Sequence, residues 1–207
     1  MKMNRILAVG ATLLMGIVLA GCGNNVSKSS SNSQEVSGPL KKVGTYTKNS
    51  ETGKITLLAI KNYHNKAINT KSATYYFKEA KLLKIETTKK SQRANDENNF
   101  GKRLNNTYYE YQLGYSLKNN SKKRVSSNGV ELITPSGTQL SSNHGAIDEL
   151  VGDKIQPSTK KTGVIQAVAK KGDIKKMNQY KFVSAELIED SENYYGVDNQ
   201  TTINLNK

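Results

Sequence analysis

One cysteine, Cys22, in 207 residues excludes a disulfide framework, because a bridge needs two. Tryptophan is absent, proline occurs three times, and the only histidines are His64 and His144. No HExxH, CxxC or EF-hand spacing occurs, and no glycine-rich phosphate loop. Acidic residues are few: 17 against 31 Lys and Arg, a formal net charge of +14. Apolar residues make up 35%, low for a globular protein, and mean hydropathy is −0.64. Long hydrophobic runs are scarce as well. Ile6–Ala20 is the one that matters, and its 15 residues fall short of the roughly 20 that cross a bilayer as a helix. A multi-pass membrane protein is therefore excluded. Wholesale disorder is not expected, because Val, Ile, Leu and Tyr recur in short runs.

What is present begins with that run. Lys2 and Arg5 precede it, and Leu19-Ala20-Gly21-Cys22 ends it. A basic start, a short apolar stretch and small residues describe a secretory signal peptide. The four closing residues resemble the lipobox of bacterial lipoprotein precursors. That resemblance implies diacylglyceryl transfer to the Cys22 sulfur, cleavage between Gly21 and Cys22, and attachment to the outer face of the cell membrane by acyl chains such as palmitate. The residue types suit the chemistry, since a thiol is the best side-chain nucleophile for alkylation. Two or more acyl chains hold where one slips, at about 0.8 kcal/mol per buried CH₂. Without residues 1–21 and their two cations, 29 basic residues face 17 acidic ones, a net +12.

Residues 22–38 read as the lipidated Cys and a Ser/Asn-rich tether, too polar to offset its own ordering entropy. Residues 39–207 read as one domain, with order expected to begin at Pro39-Leu40. Its periodicity favours strands. Tyr109, Tyr111, Leu113, Tyr115 and Leu117 alternate with Glu110, Gln112, Gly114 and Ser116, predicting a half-buried strand. Residues 54–60 predict another. In 73–87 Tyr76, Lys78 and Ala80 are expected on one face and Phe77, Glu79 and Lys81 on the other, with a bulge near Glu79–Lys81. Further strands are expected at 125–134, 138–140, 162–169, 180–188 and 201–205. Thr134-Pro-Ser-Gly137 predicts a tight turn. Residues 84–100 read as a loop or short helix, and 146–151 as one helical turn; the order of 84–106 is open. About seven short strands separated by turn signals predict an all-β fold, a single β-sandwich.

One segment adds a family likeness. Tyr109–Leu117 is followed by Lys118-Asn-Asn-Ser-Lys122, the Pro135-Ser-Gly137 turn, Ile155-Gln-Pro-Ser-Thr-Lys-Lys-Thr-Gly163, strand 164–169 and Tyr180-Lys-Phe-Val183. This resembles the DUF4352-type, telokin-like domains of Gram-positive lipoproteins, over about half of the mature chain. The turn lacks the usual Asp, and Gln166 stands where an aromatic is usual. The resemblance implies an immunoglobulin-like sandwich on a surface lipoprotein, and carries little about its molecular role.

Catalytic groupings are scarce. His144, Asp148 and one of many serines could assemble a hydrolytic site near the loop to Asp153, but no nucleophile-elbow pattern surrounds any serine. Glu186, Glu189, Asp190 and Glu192 could share Ca²⁺, or form a solvated edge. Lysine pairs at 89–90, 122–123, 160–161, 170–171 and 175–176 make a surface that attracts polyanions at long range. The expectation is a non-enzymatic, cofactor-free binding domain on a lipid anchor. Its partner would be a wall polyanion such as teichoic acid or another surface protein. Nucleic acid is not expected, because strand packing accounts for the tyrosines at 108–111.

Overall fold

The computed structural model describes residues 33–189 and 196–206. The signal segment, the lipobox with Cys22, Asp190 and Glu192 lie outside the described residues. Among the described residues there are fifteen strands and one α-helix. The first half holds β1 (Gln34–Glu35), β2 (Thr45–Asn49), β3 (Gly53–Asn69), β4 (Ala73–Glu86), α1 (Lys90–Phe100) and β5 (Thr107–Asn119). Then come β6 (Val125–Ser127), β7 (Glu131–Ile133), β8 (Gln139–Ser142), β9 (Gly145–Asp148), β10 (Lys154–Ile155) and β11 (Lys160–Ala169). A 3-10 helix (Lys171–Gln179) leads to β12 (Lys181–Val183), β13 (Leu187–Glu189), β14 (Gly196–Asp198) and β15 (Thr202–Asn204).

An eleven-stranded sheet runs β1-β2-β3-β4-β5-β11-β9-β8-β7-β12-β15, and a four-stranded sheet runs β10-β6-β13-β14. The large sheet folds over itself. Phe182 on β12 meets the rings of Tyr75 and Phe77 on β4 and Tyr115 on β5, at centroid distances of 5.2, 4.8 and 5.5 Å. The result is an all-β sandwich, as the strand pattern predicts, although β3, at 17 residues, runs far beyond the 54–60 stretch expected.

The alternation in β5 places Tyr111, Leu113, Tyr115 and Leu117 wholly inside, each 0% exposed. Edge-to-face rings around Phe182 and the stacked pair Tyr111–Tyr180, 4.0 Å apart, fill the space that tryptophan would otherwise take. A second apolar cluster lies on the opposite face of β3–β4–β5. Ile55, Leu57, Leu83, Ile85 and Tyr108 pack there under Phe100, at the C-terminal end of α1, and Leu40. Gly101 (φ +60°) ends α1 in the left-handed conformation, and a Cβ there would fall on the Asn143 carbonyl oxygen. The helix end is thereby seated on the turn between β8 and β9.

Several expectations need correction. The β4 bulge lies between Phe77 and Ala80, so both face the main core and Lys81 joins Leu83 and Ile85 outside. Residues 125–134 and 180–188 each divide into two strands that enter different sheets. The first break falls at Gly129 (φ +88°), the second at 184–186. Residues 146–151 hold the end of β9 and a turn rather than helix, because Ala146 and Asp148 pair with β11 and point inward. His64 and Asn65 form a positive-φ bulge within β3. Residues 84–106 are ordered as the end of β4, α1 and the approach to β5. Gln34–Glu35, in the stretch read as tether, pair in parallel with Thr45–Tyr46.

Candidate functional site

The face of β4–β5–β11 that points away from the main core is divided along its length. Near Thr107 it is covered by α1; near Asn119 it is open. Each half holds a polar arrangement.

At the open end the chemistry is cationic. Asn119, 0% exposed, ties the loops together there. Its side-chain amide donates to the carbonyls of Lys123 (2.7 Å) and Ile155 (3.0 Å). Its Oδ1 accepts from the backbone N–H (2.9 Å) and hydroxyl (2.7 Å) of Ser121. These bonds hold the segment carrying Lys122, Lys123 and Arg124 against the end of β10. Lys118 and Lys160 stand directly opposite each other across β5 and β11. The next outward pair, Ser116 and Thr162, has its hydroxyls 2.8 Å apart. Lys160 lies 5.2 Å above the Tyr76 ring. Lys71 projects from the adjoining β3–β4 turn, which Asn120 joins by a bond from its N–H to the Ser72 carbonyl (2.8 Å). Among the described residues three carboxylates partly offset the charge: Asp153 pairs with Lys161 at 2.8 Å, Glu189 with Lys123 at 2.9 Å, and Asp198 accepts from the Thr70 hydroxyl (2.5 Å) and Ser72 N–H (2.8 Å) on either side of Lys71.

At the covered end the chemistry is carboxylic. Asp96 of α1 and Glu110 of β5 line a cavity with room for about one water, together with Gln92, Tyr108 and Gln112. The Tyr108 hydroxyl (3.0 Å) and Gln92 amide (2.8 Å) donate to Asp96, and Gln112 Nε2 (2.7 Å) donates to Glu110. Burial pushes the Glu110 carboxyl up to about 7, against the Gln112 hydrogen bond, and the nearby Asp96 adds to the rise. Burial also raises Asp96, opposed by its two hydrogen bonds. Lys81, opposite Gln112 on this face, is paired with Glu79 at 2.9 Å. The cavity is too small for an organic substrate.

The residues proposed from sequence for hydrolysis are not brought together. His144 is exposed in the β8–β9 turn, its Nδ1 3.3 Å from the Ser142 carbonyl. Asp148 points into the core. It accepts from the Tyr115 hydroxyl (2.7 Å) and from the backbone N–H groups of Val130 (2.8 Å) and Leu150 (3.2 Å). Burial raises its carboxyl, and those bonds hold it back. Asp153, paired with Lys161, faces the cationic end. Of the acidic cluster, Glu186 accepts from Asn128 at 2.8 Å and Glu189 from Lys123 at 2.9 Å. Among the described residues no three His, Cys, Asp or Glu side chains gather as metal ligands.

Sequence reasoning missed Lys71, Lys118 and the Asp96–Glu110 cavity. Lys118 lies outside any lysine pair, and its partner is set by the β5–β11 register. Glu110 reads as solvent-facing until α1 is laid over it.

The fold and these two arrangements define a class: an all-β, two-sheet protein whose central face is capped by a helix at one end and cationic at the other. No family model matches the chain, and no curated protein sequence matches it. Among solved structures, it is similar to a functionally unknown protein from Listeria monocytogenes EGD-e. That match has 13% identity and a TM-score of 0.48, over 72% of this chain and 86% of that one. The yjhA protein from Bacillus subtilis matches at 12% identity and a TM-score of 0.45, over 70% of this chain and 99% of that one. Likenesses at this level carry no activity or partner over to this chain.

Proposed function

We propose that the chain is a lipoprotein held on the extracellular side of the cell membrane through Cys22, and that its β-sandwich is a non-catalytic binding domain. The observation that carries this reading is Leu19-Ala20-Gly21-Cys22 closing a 15-residue apolar run behind Lys2 and Arg5. Cys22 is the only thiol in the chain, so its modification competes with no disulfide. The Ser/Asn-rich stretch after it gives the domain reach from the surface. The DUF4352-type likeness of 108–183 agrees with a surface lipoprotein.

The test is metabolic labelling with a fatty acid, followed by membrane fractionation. The wild-type chain is expected in the membrane fraction carrying label. Cys22→Ala is expected to carry none and to migrate as the longer, uncleaved precursor. A wild-type chain without label, or a Cys22→Ala chain that keeps it, refutes the anchoring.

A further inference from the structure

Lys118 and Lys160 occupy an unfavourable arrangement. Like charges directly opposite across an antiparallel pair repel, because their Cβ atoms stand about 4.5–5.5 Å apart. Among the described residues neither lysine has a carboxylate partner: Asp153 and Glu189 are taken by Lys161 and Lys123, and Asp198 by the Thr70 hydroxyl and Ser72 N–H of the β3–β4 turn. Lys71 and Lys122, both exposed, add like charge from the adjoining turns. An anion placed between the two strand lysines would remove the repulsion and reach the exposed Thr162 hydroxyl just beyond, which is itself braced by the buried Ser116. A lysine ammonium binds phosphate as a point charge, with no need of the planar fork that arginine offers a carboxylate.

We propose that the Lys118–Lys160 pair, flanked by Lys71 and Lys122, is a docking site for the phosphodiester groups of a linear polyanion. This rests on the binding-domain reading above and names the chemistry of its partner. The four cations are spread across two turns and two strands, which suits successive phosphates along a chain better than a single small anion. A lipid surface fits less well. Membrane-surface binding couples basic residues to an inserted apolar face, and Val151 is the only large hydrophobic more than a third exposed among the described residues. The first described strand also enters far from the site. Gln34 is level with Thr45, beside Leu57, Leu83 and Glu110, which is eight residues from Lys118 along β5, roughly 27 Å at strand rise. A base-stacking site is disfavoured because Lys160 already covers the Tyr76 ring.

The test uses the full chain in neutral detergent and measures its affinity for poly(glycerol phosphate) between 50 and 200 mM salt. With four lysines engaged, the slope of log K against log salt is expected near −2.8, at about 0.7 per contact for a single-stranded polymer. Lys118→Gln with Lys160→Gln is expected to bind at least tenfold more weakly and to halve the slope. Lys41→Gln with Lys102→Gln removes equal charge from exposed positions elsewhere and is expected to stay within twofold of wild type. Equal losses from both double variants, or wild-type binding by the first, overturn the proposal. Tighter binding to equimolar phosphatidylglycerol–phosphatidylcholine vesicles than to the polymer reassigns the patch to a membrane, and a tenfold preference for a single-stranded oligonucleotide reassigns it to nucleic acid; either overturns it. The binding measurement does not depend on Cys22, so failure here and failure of the anchoring are read separately.

Discussion

Replacing Glu110 by Gln tests the covered end of the sheet. The Glu110 carboxyl is raised from an ordinary 4.5 to about 7 because folding buries it beside Asp96. Between those values the folded chain holds a proton that the unfolded chain has released. The contribution of this group to stability is therefore greatest below about pH 4.5 and is lost as pH rises through about 7. A shift of this size amounts to about 3 kcal/mol, at 1.36 kcal/mol per pH unit. Glutamine has the same shape and never ionises, and its carbonyl can accept the Gln112 bond. The expected result is two stability curves that coincide near pH 4.5 and diverge, with Glu110→Gln the more stable by about 3 kcal/mol at pH 8. Urea unfolding followed by circular dichroism reads this directly, and taking the difference cancels the raised carboxyl of Asp148, which is not coupled to Glu110. A difference that stays flat from pH 4.5 to 8, or one that favours the wild type as pH rises, refutes the reasoning.

Gly101→Ala puts a Cβ where φ is +60° and where the Asn143 carbonyl already lies. It is expected to cost more than about 1 kcal/mol and to speed amide exchange across Lys90–Phe100, read by mass spectrometry. Asp148→Ala leaves the Tyr115 hydroxyl and the Val130 N–H buried without an acceptor. At about 1–3 kcal/mol for each stranded group it is expected to lower the urea midpoint markedly, whereas His144→Ala, exposed nearby, is expected to leave it unchanged.

Much of the sandwich is legible in the residues, and the exceptions have physical reasons. Strand β5 shows itself because its inward side is Tyr and Leu at every second position. Strand β4 misleads because the bulge after Phe77 exchanges the two faces partway along, and alternation has no memory across a bulge. Helix α1 is hard to read because only Asp96 and Phe100 are buried along its eleven residues, so it carries no apolar stripe. The break at Asn128-Gly129 carries a turn signal and the one at Ser184-Ala-Glu186 none, but at both the change of sheet depends on partners distant in sequence. The lysine pairs are plain in the sequence, but their convergence is not. Lys118 and Lys160 come together only through the β5–β11 register, and Lys122 is carried on the adjoining turn that the Asn119 hydrogen bonds shape.

The division of β5 has a consequence for sequence drift. Around Glu110, each outward position is enclosed by α1 on one side and backed by the aromatic core on the other. A substitution there disturbs two packed layers at once. Around Lys118, the outward positions are backed by the core but open in front, and the Ser116–Thr162 pair separates them from the helix-covered half. The face near Asn119 can therefore exchange residues, and change what it attracts, while the half that holds the sheet together stays fixed.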